Sequence, residues 1–263
     1  NLKIKIKDKN GIFIGARMGR PEKAKMRKLT GSPNVLFPVG EEGGKLRSFN
    51  TALERGYINA QFSIFKCEEC NIDSVYPYCN LCRKKAKKLT SNEGRYAENI
   101  KLNIKDYFDY ALSFLKVREY PQMIKGVRGT SNEDHTPENL VKGILRANTG
   151  LYVNKDGTIR YDMTELPITA FKPKEIGTSI EKLKELGYTE DMEGNDLFDE
   201  EQIIEIKPQD IILPVCEGSD QEGADDVFYR VGNFVDDLLE KFYQLPKFYN
   251  LSDKNDLIGH LVV

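Results

Sequence analysis

What the sequence lacks narrows its class first. No apolar run approaches the roughly 20 residues that a membrane-crossing helix needs, so no membrane partner is expected. No signal peptide opens the chain: Asn1 to Lys9 alternates Lys with Leu or Ile, the period of a strand. The first residue is Asn rather than Met, which predicts that the chain does not begin where its gene begins. Histidine is down to His135 and His260. Neither has Glu or Cys at ligand spacing, and each is expected to be an ordinary surface or packed side chain. No G-x-S-x-G is present, so no serine nucleophile of that type. No G-x-x-x-x-G-K-[ST] is present, so no Walker A loop. There is no internal repeat and no low-complexity tract. Five cysteines in 263 residues are too sparse for the disulfide framework of a small secreted domain. A reducing, cytoplasmic setting is therefore expected.

What is there fits a globular protein. Apolar residues make up 40% and charged residues 30%, and the length allows one large domain or two smaller ones. The net charge of −2 hides an asymmetry. Residues 1–100 carry 20 Lys and Arg against 10 Asp and Glu, a net of +10, while residues 101–263 carry 19 against 31, a net of −12. Such a split suggests that the first part faces a polyanion; a solvated basic face is the plainer alternative.

Local pattern predicts many short elements. Hairpins are expected at 1–14, around Asn10-Gly11, and at 151–161, around Asn154 to Gly157. Pro21 and Glu22 to Lys28 suit a short helix. Further strands are expected at 35–40, 61–65, 168–171, 203–206 and 210–213, and a loop at 126–132. Helices are expected at 49–55 (closed by Gly56), 96–118, 137–147, 178–186 (closed by Gly187) and 231–243. An acidic loop is expected at 217–226, and a new apolar element starts at Asp256. Scattered helices with short strands favour an α+β protein with a barrel-like or irregular sheet over a regular βαβ array.

Four of the five cysteines form the pattern Cys67-x2-Cys70-x8-Cys79-x2-Cys82. Two such pairs provide four soft thiolates, the usual donors of a closed tetrahedral zinc site. With all four positions filled no water can be activated, so the expected Zn2+ is structural. It would supply folding energy to a module too small to hold itself by apolar burial. Redox dithiols, or an iron–sulfur cluster, are the other chemistries open to this set. Arg83, Lys84, Lys85, Lys87 and Lys88 follow at once, as a phosphate-touching tail or a solvated one. Cys216 stands alone and reads as a buried or incidental thiol.

The densest basic segment is Gly15 to Lys28. Its glycines allow close backbone approach to a phosphate. Arg17 and Arg20 can grip phosphate oxygens bidentately, while Lys23 and Lys25 act as point charges, with Arg27 beyond them. Charge alone leaves phosphate binding and a plain exposed face equally open. The candidates for metal-binding carboxylates are Asp225-Asp226 and Asp236-Asp237. Neighbouring helix positions do not converge well, and a solvated or helix-surface role is expected for both pairs.

Taken in order, several segments resemble the large catalytic subunit of the archaeal family D DNA polymerase (DNA polymerase II). They include Ile14 to Ala24, Val35 to Gly40, the cysteine module, Leu145 to Asn148, Asp156 to Arg160, Phe171 to Gly177, Lys207 to Asp210, Asn233 to Tyr243 and Asp256 to Val262. The resemblance runs nearly end to end, as an internal segment of that subunit. It implies a core similar to a double-psi β-barrel, the first of two in the family, with an inserted zinc ribbon and peripheral helices. On that basis 1–65 is the first part of the barrel with its basic loop, and 66–90 the zinc module. Residues 91–150 become a helical segment, 151–230 the second part of the barrel, and 231–263 a helical lead into the second barrel.

The resemblance also implies template-dependent nucleotidyl transfer in DNA replication. Arg17, Arg20, Lys23, Lys25 and Arg27 would hold the incoming triphosphate or the primer–template phosphates near Mg2+. The implied partners are DNA primer–template, dNTP, the remainder of the large subunit and a small proofreading subunit that carries the exonuclease of the holoenzyme. The family's Asn-x-Asp-Gly-Asp motif is absent from this sequence, so the catalytic aspartates are expected elsewhere and the isolated chain is expected to be inactive. Many relatives carry further Cys pairs; here one zinc site can form. A truncated, split or intervening-sequence-interrupted reading frame is the expected origin. The alternative is a non-catalytic zinc-containing module that binds DNA or a partner subunit.

Overall fold

Short sheets and helices alternate in the computed structural model of the chain, which describes residues 14–16, 34–89, 98–130, 134–154, 157–159, 168–208, 210–212, 223–254 and 259–261. The fold is α+β, and its sheets have two or three strands each among the described residues. Two compact units form. One spans Leu29–Arg160 and Asp237–Leu245; the other spans Asn1–Lys28, Tyr161–Asp236 and Pro246–Val263.

In the first unit, strand Asn34–Pro38 pairs in parallel with Lys125–Val127. The latter falls where a loop over 126–132 is expected, and the pairing partner far upstream is what makes it a strand. Ser48 starts the helix Phe49–Arg55 by accepting the Thr51 N–H, and Gly56, at φ 79°, ends it by donating to the carbonyls of Ala52 and Leu53. Strand Tyr57–Phe62 then alternates exposed and buried residues and pairs antiparallel with Glu98–Asn103 along its whole length. The strand expected at 61–65 thus begins earlier, breaks at Ser63 and Ile64, and resumes at Phe65–Lys66 in a separate small sheet.

The continuous helix expected over 96–118 is corrected here. Its first part is the strand Glu98–Asn103, and the helix runs Ile104–Leu115. Ile100 and Leu102 alternate with polar residues, a period-2 pattern that the neighbouring helical spacing obscured. Asn103 marks the switch, its side chain accepting the Lys105 N–H.

The core is aromatic. Phe37, Phe49 and Phe62 are fully buried. The Phe37 ring lies between 6.1 and 6.4 Å from those of Phe49, Phe62, Tyr76 and Tyr107. Burying each such side chain contributes about 1.5–3 kcal/mol. The helix Leu140–Asn148, capped by Asn139, packs across the first strand. Its start three residues after Pro137 follows from that cap. Gly143 allows the close approach: a Cβ there would sit 2.9 Å from Val35 Cγ1. Beneath it, buried Arg146 grips both carboxylate oxygens of Glu138 and donates to the Asn34 carbonyl at 3.2 Å. Glu138 also accepts the Leu36 N–H at 2.9 Å. At the expected second hairpin, Asn154 N–H donates to the Thr158 carbonyl at 2.8 Å.

The second unit has a smaller core of Phe171, Leu183, Tyr188, Leu197 and Ile204. Strands Ala170–Phe171 and Ile204–Glu205 pair antiparallel. The helix Ile180–Glu185 has Ser179 as its N-cap, and Gly187 follows at φ 88°. A short helix, Pro173–Ile176, precedes it. Ile14–Ala16 runs parallel to Gly259–Leu261, so the apolar element expected from Asp256 includes a strand. The helix Ala224–Asp237 starts earlier than expected and takes Asp225 and Asp226 into its first turn, correcting their placement in a loop. It continues as a π-helical turn, Leu238–Tyr243, which belongs to the first unit.

Candidate metal centre

The four cysteines arrive on two matching turns. Asn71 N–H donates to the Cys67 carbonyl at 2.9 Å, and Cys67 N–H to Ile72 at 3.0 Å. Twelve residues on, Arg83 N–H donates to the Cys79 carbonyl at 2.9 Å, and Cys79 N–H to Lys84 at 2.9 Å. In both, the residue after the second cysteine is left-handed, Asn71 at φ 53° and Arg83 at φ 59°. Asn tolerates that conformation; Arg does not by itself favour it. The repeat is thus half-written in the sequence.

The turns bring the four sulfurs within 4.8 Å of one another, with Cys67 and Cys82 Sγ 3.5 Å apart. A tetrahedral thiolate site with metal–sulfur bonds near 2.3 Å has edges of about 3.8 Å, so the spacing and the donor set both fit a soft divalent ion. Cys67 and Cys79 are buried, Cys70 and Cys82 half-buried.

The thiols already differ in acidity. The Cys82 N–H, aided by that of Leu81 against the cost of burial, lowers Cys79 to about 7. Hydrogen bonding with Cys82, then burial and the other two thiols, raises Cys70 to about 12. For Cys82 the Lys84 N–H favours the thiolate, but burial and its neighbours outweigh it and its pKa is raised. Four thiols this close cannot all ionise unless a cation compensates them.

Tyrosines fasten this module to the rest of its unit. Tyr76 OH accepts the Leu140 N–H at 3.0 Å, Tyr107 OH accepts the Val75 N–H at 3.3 Å, and Tyr110 OH donates to the Asn80 carbonyl at 2.9 Å. Burial raises the pKa of all three, so they stay protonated. The basic tail is partly built into the fold. Lys87–Lys88 pairs with Phe65–Lys66, Lys84 meets Glu69, Lys88 reaches Asp134 at 2.9 Å, and Arg83 lies over the Phe114 ring. Lys85 and Lys87 are exposed or edge-facing.

The aspartates behave differently. Asp236 is buried and accepts three backbone N–H groups: Phe248 at 2.9 Å and Tyr249 at 2.8 Å on Oδ1, and Asn250 at 2.7 Å on Oδ2. Buried Asp225 pairs with Lys254 at 2.5 Å, and Lys254 also reaches Asp226 at 2.8 Å. Asp237 pairs with Lys241 at 2.8 Å. A solvated role is therefore corrected for Asp225 and Asp236, which hold the second unit together. Their partners lie 12–29 residues away, beyond any local pattern. Among the other candidates, His135 is half-buried, with Nδ1 3.1 Å from Thr130 Oγ1. Arg17, Arg20, Lys23, Lys25, Arg27 and Cys216 lie outside the described residues, as do residues 1–13 of the hairpin expected at 1–14 and the short helix expected at 22–28. His260 lies in the strand Gly259–Leu261.

Fold and site together define an α+β protein that carries a four-cysteine cluster able to hold a metal ion. Residues 116–263 match the family described as DNA polymerase II large subunit DP2, catalytic domain, and residues 2–101 match its central domain. The chain belongs to this family. Among its relatives, the DNA polymerase II large subunit of Nanoarchaeum equitans is 42% identical over 311 residues, covering 98% of this chain and 25% of the relative. That of Archaeoglobus fulgidus is 42% identical over 285 residues, covering 99% and 24%. That of Pyrococcus horikoshii is 43% identical over 288 residues, covering 100% and 20%. The chain thus spans between a fifth and a quarter of the length of these relatives.

Proposed function

We propose that this chain is a working part of a DNA-directed DNA polymerase, the segment that grips phosphates beside the catalytic metals. The observation that carries the reading is the succession of central and catalytic family domains along nearly the whole chain. In this reading the four cysteines hold one structural Zn2+, which closes the module at 66–90. The segments 1–65 and 151–230 build a double-psi β-barrel, 91–150 packs beside it, and 231–263 leads toward a second barrel. Mg2+ is held by aspartates supplied elsewhere, since the family's Asn-x-Asp-Gly-Asp motif is not in this sequence and the aspartates of Ala224–Asp237 are engaged by the fold.

The chemistry is in-line attack of a primer 3′ hydroxyl on the α-phosphorus of a dNTP, with pyrophosphate leaving. Arg17, Arg20, Lys23, Lys25 and Arg27 would neutralise phosphate charge as it shifts. They act by position and charge, as five cations in a segment with one acid. The partners are primer–template DNA, dNTP, the remainder of the large subunit and a small proofreading subunit, in the cytoplasm.

The test is primer extension by the chain combined with a polypeptide carrying Asn-x-Asp-Gly-Asp, comparing wild type with Arg20→Ala and Lys23→Ala. The chain alone should not extend, the combination should, and each substitution should cut extension at least about tenfold. Extension undiminished by both substitutions would reduce the basic loop to a solvated face. DNA binding without extension in any combination would favour the non-catalytic zinc module instead.

A further inference from the structure

Backbone strain gathers at one place in the first unit. Seven described non-glycine residues have left-handed φ. Three of them, Arg83 (φ 59°), Lys116 (φ 54°) and Gln244 (φ 57°), line a single cleft of about 340 Å3 together with Phe114, Glu240 and Lys241. Lys116 ends the helix Ile104–Leu115, Gln244 ends the π-helical turn, and Arg83 closes the second cysteine turn. Glycine is the usual residue at such helix ends, and each of these positions costs about 1–2 kcal/mol with an L side chain. What glycine lacks is a long polar side chain, and all three residues have one. Strained backbone and π-turns concentrate at functional sites.

Its lining specifies the ligand. Three cations face one carboxylate, which favours an anion. Lys116 has no ion pair among the described residues, and Lys241 is shared with Asp237 at 2.8 Å. Just beyond the rim, Lys142 Nζ lies 4.8 Å from the rings of Phe242 and Tyr243. The floor is π-rich. The Arg83 guanidinium sits 5.0 Å over the Phe114 ring, and Phe114 lies 5.8 Å from Phe242. A guanidinium plane seated on a ring offers its outer face to a base. The volume is at the small end of ligand pockets, roughly 300–1,000 Å3. That suits one nucleotide and excludes a duplex, whose bases keep their faces stacked.

We propose that this cleft binds one nucleotide of a single-stranded nucleic acid, its base stacked on Arg83 over Phe114 and its phosphate held by Lys116 and Lys241. Glu240 and Gln244 stand at the edge, where they can meet the polar rim of the base. The inference rests on the nucleic-acid reading above for the class of ligand, but it places a contact far along the sequence from the basic loop.

The test uses the zinc-loaded chain and a fluorescent oligo-dT strand, followed by anisotropy. Lys116→Gly and Gln244→Gly are the informative variants, because glycine relieves the strain. If the side chains serve only as helix ends, both variants melt higher and bind as wild type, and the proposal is overturned. If they hold a strand, each variant melts no lower than wild type yet binds at least about threefold more weakly, and Lys116→Gly lowers the salt slope by about one contact. Photocrosslinking with a 5-bromouracil strand locates the base. Crosslinks at 83, 110–116 or 240–244, persisting in Arg20→Ala, support the cleft. Crosslinks confined to 1–33 overturn it while leaving the phosphate-gripping reading of the basic loop intact.

Discussion

Two groups of metal-type ligands in this chain meet opposite fates. The four thiols of the first unit converge on one point with no counter-charge among them. The four aspartates of the helix Ala224–Asp237 are spread along it, and every one is engaged by lysines or backbone N–H groups. Ligand chemistry follows from what satisfies a side chain, not from residue type. A carboxylate with three N–H donors is already solvated by protein; a cluster of soft thiols can ionise together only beside a cation.

Removing the metal site should have the largest effect. Chelation, or Cys67→Ser with Cys79→Ser, should unfold the module 66–88, since structural zinc binding is worth on the order of 10–16 kcal/mol in small modules. Circular dichroism would show the loss. The converse experiment on the carboxylates comes next. Glu138→Ala removes the carboxylate that compensates the buried Arg146 guanidinium and should destabilise the first unit by about 3–5 kcal/mol in urea titration. Asp236→Ala leaves three N–H groups without their acceptor and should cost about 3 kcal/mol; an unchanged stability would contradict its assigned role. Lys254→Met removes the partner of Asp225, but Lys254 is 40% exposed. Solvent screening limits that effect to about 1 kcal/mol.

Legibility in the sequence followed the range of the interaction. The cysteine spacing declares the four-sulfur cluster, because both turns are local. Helix Phe49–Arg55 was equally plain, with Ser48 and Gly56 at its ends. The local pattern of 96–118 hides the strand Glu98–Asn103, which owes its existence to Tyr57–Phe62, some 40 residues earlier. The burial of Asp225 and Asp236 is hidden for the same reason, since Lys254 and the N–H groups of 248–250 lie a loop away. The left-handed Arg83, Lys116 and Gln244 carried no signal at all: nothing in their residue type announces positive φ. The tyrosine anchors of the cysteine module are also invisible: Tyr107 and Tyr110 are ordinary aromatics at helical spacing, and Tyr76 lies outside any helix.

Hydrogen exchange of the chain before and after metal removal, with metal content determined in parallel, tests the metal centre itself. The account predicts one zinc per chain. It also predicts that removal deprotects 66–88 and the tyrosine-anchored face of Ile104–Leu115, while the core around Phe171, Leu183, Tyr188, Leu197 and Ile204 keeps its protection. A chain that carries no zinc as purified, and whose residues 66–88 are as protected without metal as with it, would contradict it.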